Sequence, residues 1–253
     1  MPGAVWTRAL NNRDFQDKQL RFVQYGSRGI AYLLLRADAK HQLGRMLFQL
    51  YAQLSLSRKA FRAFRWLADL KLASDHFRAS LAKSSDAAER LSALQWLLMA
   101  VHIFWDNMFF YTHASVGLIV RPDSAWWTNT SANLRQKNWR AMSDTIGLIV
   151  ACIRHQRVSR RLQSLAEGMP SASGGEQTVA APSERDAALV ERRETAYAAV
   201  KLAADVATYF PQTTLAALLR IGHLHGWHDA YIGVAGCVAA LVSCRAEWLK
   251  LSK

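Results

Sequence analysis

The sequence has 253 residues, of which 51% are hydrophobic, and this apolar content excludes a disordered chain. Its 32 lysine and arginine residues outnumber 19 acidic residues, which gives a formal net charge of +13. Such a surplus favours anionic partners, either nucleic acid or anionic lipid headgroups. The sequence has no zinc-finger spacing, RNP-type aromatic strand or basic-zipper heptads. It therefore favours an anionic phospholipid membrane and predicts no nucleic-acid partner.

Helices dominate the predicted secondary structure, so the predicted fold class is all-α. Glycine and proline are sparse over long stretches, and apolar residues recur at three- and four-residue spacing. Helix breakers and small polar residues concentrate in residues 168–182, which predicts a flexible linker over residues 164–186. The chain then divides into an N-terminal region (1–90), a central region (91–163), this linker and a C-terminal region (187–253).

The first long helix candidate covers residues 19–54, where apolar residues alternate with scattered arginine and lysine. This composition suits either a membrane surface or self-association. Gly26, Gly29 and Gly44 weaken a rigid helix, because glycine costs roughly 1 kcal/mol relative to alanine in a helix interior. We therefore expect a break near residues 26–29.

Residues 57–83 carry the most pronounced amphipathic pattern. At about 100° per residue, basic and polar side chains fall in one narrow stripe, and aromatic and aliphatic side chains lie on another side. Such a helix can lie in the plane of a bilayer, with its apolar face roughly 5–10 Å deep and its basic side against anionic headgroups. Insertion into one leaflet expands that leaflet and promotes curvature. The alternative is the solvated face of an ordinary soluble helix.

The predicted insertion is confined to residues 58–72, because Lys71, Asp75 and Arg78 interrupt the apolar side of the second half. The predicted membrane-binding residues are Arg58, Lys59, Phe61, Arg62, Phe64, Arg65, Trp66, Leu67, Leu70 and Leu72.

Residues 91–120 form the first of two regions that approach the character of a membrane span. They contain one formal charge, Asp106, and exceed the roughly 20 apolar residues that a span needs. Asp106, Asn107, His102 and His113 argue against a lone span, because ionisable groups in the bilayer need partners inside a bundle. A buried helix is therefore the alternative.

Residues 230–244 form the second such region, which is uncharged and followed by Arg245 and Trp248. Its length is marginal for a span, so a buried helix of a soluble bundle is again the alternative. Gly233 and Gly236 permit close approach of another helix. We assign structural or oligomer-forming roles to these two glycines and to Asp106 and Asn107.

No catalytic site emerges from the sequence. His223, His225 and His228 have a spacing that suits a metal, but no further ligand set accompanies them. His102 and Asp106 share one helix face, yet no nucleophile motif or phosphate-binding glycine loop accompanies them, which favours a buried hydrogen-bonded pair. The three cysteines form no C-x-x-C pair. The sequence thus predicts no enzyme activity, no metal and no cofactor.

Four motifs follow one another in an order that resembles the peroxin-eleven family. RDFQDKQLRFVQYGSRGIAYLL (13–34) is similar to the opening of those proteins, and SRKAFRAFRWL (57–67) to their next motif. FWDNMFF (104–110) resembles the family's Asp-Asn pair with aromatic neighbours, and the pair here is Asp106-Asn107. LAADVATYF (202–210), followed by DAYIGVAGCVAALVSCRAEW (229–248), resembles the closing region of the family. The resemblance covers nearly the whole chain.

This resemblance implies residence in the membrane of the peroxisome, or of a specialised peroxisome such as the glycosome. It also implies membrane elongation before fission, control of organelle number, homo-oligomerisation and recruitment of the organelle fission machinery. Together with the amphipathic segment, it predicts a non-enzymatic helical protein that binds and curves the bilayer. A channel for small solutes, with Asp106 and histidines in the pore, is the alternative, and a soluble basic helical adaptor is a third hypothesis.

Overall fold

The computed structural model describes residues 2–82, 86–113, 116, 129–167, 182–213 and 228–252. These residues form α-helices and one short 3-10 helix with no strand among them, which confirms the all-α prediction. The α-helices are α1 (Pro2–Asn11), α2 (Arg13–Ala37), α3 (Gln42–Phe61), α4 (Arg65–Ala82), α5 (Ala87–Tyr111), α6 (Asn129–Glu167), α7 (Pro182–Tyr209) and α8 (His228–Leu251), and the 3-10 helix is Phe210–Gln212.

Side-chain caps fix where two of the long helices begin. Asn12 Oδ1 accepts a hydrogen bond from the backbone N–H of Phe15 at 2.9 Å and starts α2. Asp86 Oδ1 accepts from the backbone N–H of Ala88 at 2.9 Å and starts α5. Each cap satisfies a backbone donor that has no partner inside the helix, and it typically contributes about 1 kcal/mol.

The helices pack side by side as a bundle that closes on itself. Contacts run from neighbour to neighbour in the order α3, α2, α8, α7, α6, α5 and α4, and α3 also contacts α5. α1 lies against α2 and α8. The N-terminal α2 and the C-terminal α8 are therefore direct neighbours, although they lie at opposite ends of the sequence.

The expected break at residues 26–29 is wrong, because α2 runs unbroken through Gly26 and Gly29. These positions let α8 approach: a Cβ added to Gly233 would lie 2.7 Å from the Cα atom of Gly29, and one added to Gly236 would collide with the Tyr25 ring. The close helix approach predicted for Gly233 and Gly236 is thus confirmed, within a single chain. Their role in an oligomer stays a prediction.

The predicted linker lies mainly outside the described residues. α6 continues to Glu167 and α7 begins at Pro182, so residues 168–181 are not described, and both ends of the predicted 164–186 segment are helical. Pro182 suits the start of α7, because the missing N–H of proline costs nothing in the first turn. The other region boundaries stay predictions.

Only one helix in the described part of the chain is long and apolar enough to cross a membrane. It is α8, over Asp229–Leu251, and a third of its apolar window is buried against the bundle. α5 covers residues 91–111 of the first candidate span, ends at Tyr111 and does not meet this criterion. α5 packs between α4 and α6; it buries His102, Asp106 and Asn107 and leaves Leu94 and Leu97 exposed.

Candidate functional site

The interior of the bundle is rich in charge. Alanine supplies most of the buried apolar positions in the described residues, whereas the cores of soluble proteins are usually filled by leucine, isoleucine, valine and phenylalanine. Buried ionisable side chains need partners, because burying an unpaired charge is costly. The buried ionisable residues are Asp17, Arg21, Arg58, Lys59, Asp69, His102, Asp106, Asp144 and Asp205.

The large apolar side chains lie mainly on the outside of the bundle. They occur on all eight of the described α-helices and are too numerous for the scattered apolar residues of an ordinary soluble surface. Charged residues that face the inside of a bundle while apolar residues face outward suit a lipid environment. Exposed examples are Phe22, Val23, Ile30 and Leu33 on α2, Met46, Phe48 and Leu50 on α3, Phe77 and Leu81 on α4, Leu94 and Leu97 on α5, Met142 and Ile149 on α6, Val190 and Val200 on α7, and Val234 and Leu241 on α8.

The junction of α3 and α4 departs from the predicted single helix over residues 57–83. α3 ends at Phe61 and α4 begins at Arg65, and Phe64 adopts a left-handed backbone conformation with φ 61°. This break places the two phenylalanines on the outside, with 63% of Phe61 and 65% of Phe64 exposed.

Arg58 and Lys59 are buried, so the expectation that they contact lipid headgroups does not hold in this structure. Arg58 donates to Asp17 Oδ1 at 2.8 Å and to Gln24 Oε1 at 2.6 Å. Lys59 donates to Asp106 and, at 3.0 Å, to Gln136 Oε1. The local pattern around residues 57–67 cannot reveal these partners, because they come from α2, α5 and α6.

Arg62 also turns inward and lies 3.1 Å from Asp106 Oδ2. Burial alone would raise the pKa of Asp106, but Arg62 and Lys59 outweigh it and hold the pKa well below its usual range. Asp106 therefore stays ionised and joins α3 to α5. These contacts support the structural role predicted for Asp106, which stays a prediction, whereas the predicted headgroup contact of Arg62 is not supported.

The remaining predicted membrane-binding residues lie on or near the surface. Arg65 is partly exposed and 3.4 Å from Asp14. Trp66 is half-buried and makes an edge-to-face contact with Phe104, with ring centroids 6.1 Å apart. Leu67, Leu70 and Leu72 are exposed on α4. Membrane binding by these residues, and by Phe61 and Phe64, stays a prediction.

His102 and Asp106 are both buried, but they do not hydrogen-bond to each other. His102 Nδ1 lies 2.8 Å from the backbone carbonyl of Gln136, so Nδ1 carries the proton and donates. Burial lowers the pKa of His102 to about 3, which keeps its ring neutral at physiological pH. Asn107 is buried beside them on the same helix.

A second ion-pair network, which the sequence did not suggest, joins α2, α6 and α7. Asp205 accepts from Arg21 and lies 3.3 Å from Lys201 and 3.5 Å from Arg140. Arg140 in turn donates to Asp144 at 2.6 Å. The sequence signal for this network is weak, because the partners are distant in the chain and no local motif links them.

One end of the bundle carries exposed ion pairs and so differs from the apolar surface. Arg157 Nη2 lies 2.9 Å from Asp86 Oδ1, and Arg161 Nη2 lies 2.7 Å from Glu184 Oε1. The hydrogen bond from Arg157 lowers the pKa of Asp86. Exposed charges of this kind are suited to water.

The histidine motif at residues 223–228 falls outside what the structure describes. His223 and His225 lie outside the described residues, and so does the side chain of His228. Elsewhere, in the part of the chain that the structure describes, no group of three or more His, Cys, Asp or Glu side chains could hold a metal ion.

Comparison with known proteins identifies the family. The family model for peroxisomal biogenesis factor 11 (PEX11) matches residues 4–248, nearly the whole chain. No curated protein and no solved structure matches the sequence. This family comprises biogenesis factors and is not a catalytic one. The match confirms the resemblance read from the four motifs, and the chain belongs to the peroxisomal biogenesis factor 11 (PEX11) family.

Proposed function

We propose that this protein resides in the peroxisomal membrane, where it binds and curves the bilayer and promotes elongation, division and proliferation of the organelle. The observation that carries the proposal is the distribution of side chains, with paired charges inside the bundle and large apolar groups outside. In water, an apolar surface of this extent would favour aggregation. Against acyl chains it is stable, because the buried carboxylates Asp17, Asp106 and Asp205 are paired with cations inside the bundle.

In this proposal α8 anchors the protein in the bilayer. Its length and composition permit a span, and its outward side carries Val234, Val238 and Leu241. Close packing of its glycines against α2 ties this anchor to the rest of the bundle. Arg28 Nε donates to Asp229 Oδ1 at 3.0 Å and neutralises the one carboxylate at the start of the helix.

The α3–α4 corner, formed by Phe61, Phe64 and α4, supplies the wedge. Its two phenylalanines project outward, and Leu67 and Leu70 continue the exposed apolar surface along α4. Exposed Lys71 and Arg78 on the same helix supply cationic contacts to anionic headgroups. Because the wedge enters one leaflet only, it expands that leaflet and bends the bilayer.

Self-association of several copies would crowd these wedges and increase the curvature, and the curved membrane would recruit the fission machinery. Both steps are part of the proposal and rest on the family alone. The protein needs no cofactor and no enzymatic activity for this work, because the bending energy comes from burial of apolar surface.

The test is liposome tubulation by the full-length protein, followed by negative-stain electron microscopy on vesicles that contain anionic phospholipid. The double variant Phe61→Glu/Phe64→Glu should bind these vesicles weakly and form few tubules. The double variant Phe61→Leu/Phe64→Leu keeps an apolar corner and should retain tubulation. Equal tubulation by all three proteins would remove the wedge mechanism.

A small-solute channel is the second candidate, and the polar interior is the observation that favours it. Solute flux from liposomes loaded with a fluorescent dye separates the two functions. A protein that tubulates vesicles without releasing dye acts as a membrane-bending factor, whereas dye release without tubulation would support the channel.

A further inference from the structure

The bundle contains a polar cavity of about 230 Å³ between α2, α3, α5 and α6, near the end of α7. A single water needs only about 10–15 Å³ on this kind of scale, so the cavity has room for a polyatomic ligand. Five cationic residues line it, whereas Asp106 is the one carboxylate among its described lining residues. The cations are Arg28, Arg58, Lys59, Arg62 and Lys137.

The charges in and around the cavity do not balance. Asp106 pairs with both Lys59 and Arg62. Asp17 and Asp229 reach Arg58 and Arg28 from outside the lining and pair with them. Even when these two carboxylates are included, cations outnumber carboxylates, so the cavity has a positive potential that favours an anion.

The excess of positive charge in the cavity is clearest at Lys137. The structure shows neither a hydrogen bond nor an ion pair between Lys137 and any other described residue. Burial lowers the pKa of Lys137 to about 8, and repulsion from Arg28 and Lys59 adds to the effect. An anion in the cavity would give this ammonium group the partner that it lacks.

Polar side chains complete the lining of the cavity. Tyr25, Tyr51, Asn133 and Gln136 lie in its wall beside the cations. Nε2 of His102 has no hydrogen-bond partner among the described residues, but protein atoms enclose it and a ligand in the cavity does not reach it. A ligand that fits must therefore combine negative charge with several oxygen atoms that accept hydrogen bonds.

We propose that this cavity binds a phosphate-bearing anion, held by Lys137 and Arg28. Phosphate suits the site because arginine and lysine recognise its oxygens through charge-assisted hydrogen bonds. The phosphate oxygens accept hydrogen bonds from these cations. The group comes either from free phosphate or from the headgroup of a lipid. This inference does not depend on membrane curvature.

Thermal unfolding and isothermal titration calorimetry of the full-length protein test the proposal, in a maltoside detergent and phosphate-free buffer. Inorganic phosphate is one probe and short-chain phosphatidic acid is the other, with chloride at matched ionic strength as the reference. Lys137→Gln removes the cation, Lys137→Arg keeps it, and Lys40→Gln in the exposed connection between α2 and α3 is the matched control. Circular dichroism checks that all variants fold.

We expect at least one probe to raise the melting temperature of the wild-type protein beyond the chloride reference. Lys137→Gln should weaken that binding by about tenfold or more, because it removes a charge-assisted hydrogen bond. Lys137→Arg and Lys40→Gln should bind nearly as the wild type does. Binding of inorganic phosphate assigns the site to a free anion, and binding of phosphatidic acid alone assigns it to a headgroup. Absence of binding by both probes, or equal losses in the two glutamine variants, would overturn the proposal.

Discussion

Arg58 donates a hydrogen bond through Nε to Oδ1 of Asp17 at 2.8 Å, and this contact joins α3 to α2 inside the bundle. Both side chains of the pair are 7% exposed. A second hydrogen bond, from Arg58 to Gln24, satisfies another donor of the guanidinium group. A charge placed this deep is stable only while its partner is present.

Removal of this pair should destabilise the protein strongly. We expect Arg58→Ala to lower the free energy of unfolding by about 3 kcal/mol, because buried Asp17 would lose its hydrogen-bonded partner and keep only the longer contact with Lys18 at 3.7 Å. Arg65→Ala is the matched control: its partner Asp14 lies 3.4 Å away, and their side chains are 37% and 58% exposed. That control should change stability by about 1 kcal/mol or less. Denaturant titrations in detergent measure both, and similar losses in the two variants would contradict the buried role of Arg58.

The sequence predicted those features of the fold that depend on local pattern. Apolar periodicity predicted the helices, and the small-residue spacing of Gly233 and Gly236 predicted a close helix contact, because both signals lie within one segment. The partner of that contact, α2, was not predictable, since nothing in the local pattern of α8 identifies which helix lies against it.

The sequence predicted the surroundings of the basic side chains less well than it predicted the helices. Periodicity places Arg58, Lys59 and Arg62 on a polar stripe, but it does not say whether the stripe faces water, lipid or carboxylates on other helices. The carboxylates here are Asp17 and Asp106, which lie tens of residues away in the chain. The left-handed conformation of Phe64 was equally hidden, because phenylalanine gives no signal for it.

Close packing of α8 on α2 should make Gly233 intolerant of a side chain. A Cβ at this position would lie 2.7 Å from the Cα atom of Gly29, which is backbone and cannot rotate away. We expect Gly233→Ala to lower the free energy of unfolding by about 1–3 kcal/mol.

Gly26→Ala is its matched control on the facing helix. The nearest atom to a Cβ there is Cys237 Sγ at 3.8 Å, an ordinary contact. This variant should be neutral or more stable by up to about 1 kcal/mol, because alanine favours the helix. Thermal melts of both variants test the contact, and a stable Gly233→Ala protein would exclude it.

The backbone at Phe64 permits a variant that separates stability from membrane binding. Its φ of 61° lies in the left-handed region, which costs an L-residue roughly 1–2 kcal/mol and glycine little. We expect Phe64→Gly to raise the free energy of unfolding by about 1 kcal/mol and to weaken cosedimentation with anionic liposomes. Phe61→Gly, within the last turn of α3, should weaken binding without stabilising the protein. Unchanged liposome binding by Phe64→Gly would argue against insertion of this side chain.

The lowered pKa of Lys137 predicts a specific dependence of stability on pH. In phosphate-free buffer its pKa is about 8 in the folded protein, against 10.5 for an ordinary lysine. Between these values the unfolded chain binds a proton that the folded chain has released, so the contribution of this group to stability rises with pH across that window. Below pH 8, the ammonium group is charged and half-buried, and Asp229 offsets only part of the effect of burial and of repulsion from Arg28 and Lys59, so the charged form destabilises the fold.

Lys137→Gln should therefore be more stable than the wild type at pH 7, by about 1–3 kcal/mol, and this difference should shrink as the pH approaches 10. Phosphate should also reduce the difference at pH 7, because it supplies the missing partner of the ammonium group. Lys71→Gln, on the exposed side of α4, should show neither effect. Denaturant titrations at pH 7 and pH 9.5 measure these changes. A difference that stays constant with pH would mean that Lys137 titrates as an ordinary surface lysine.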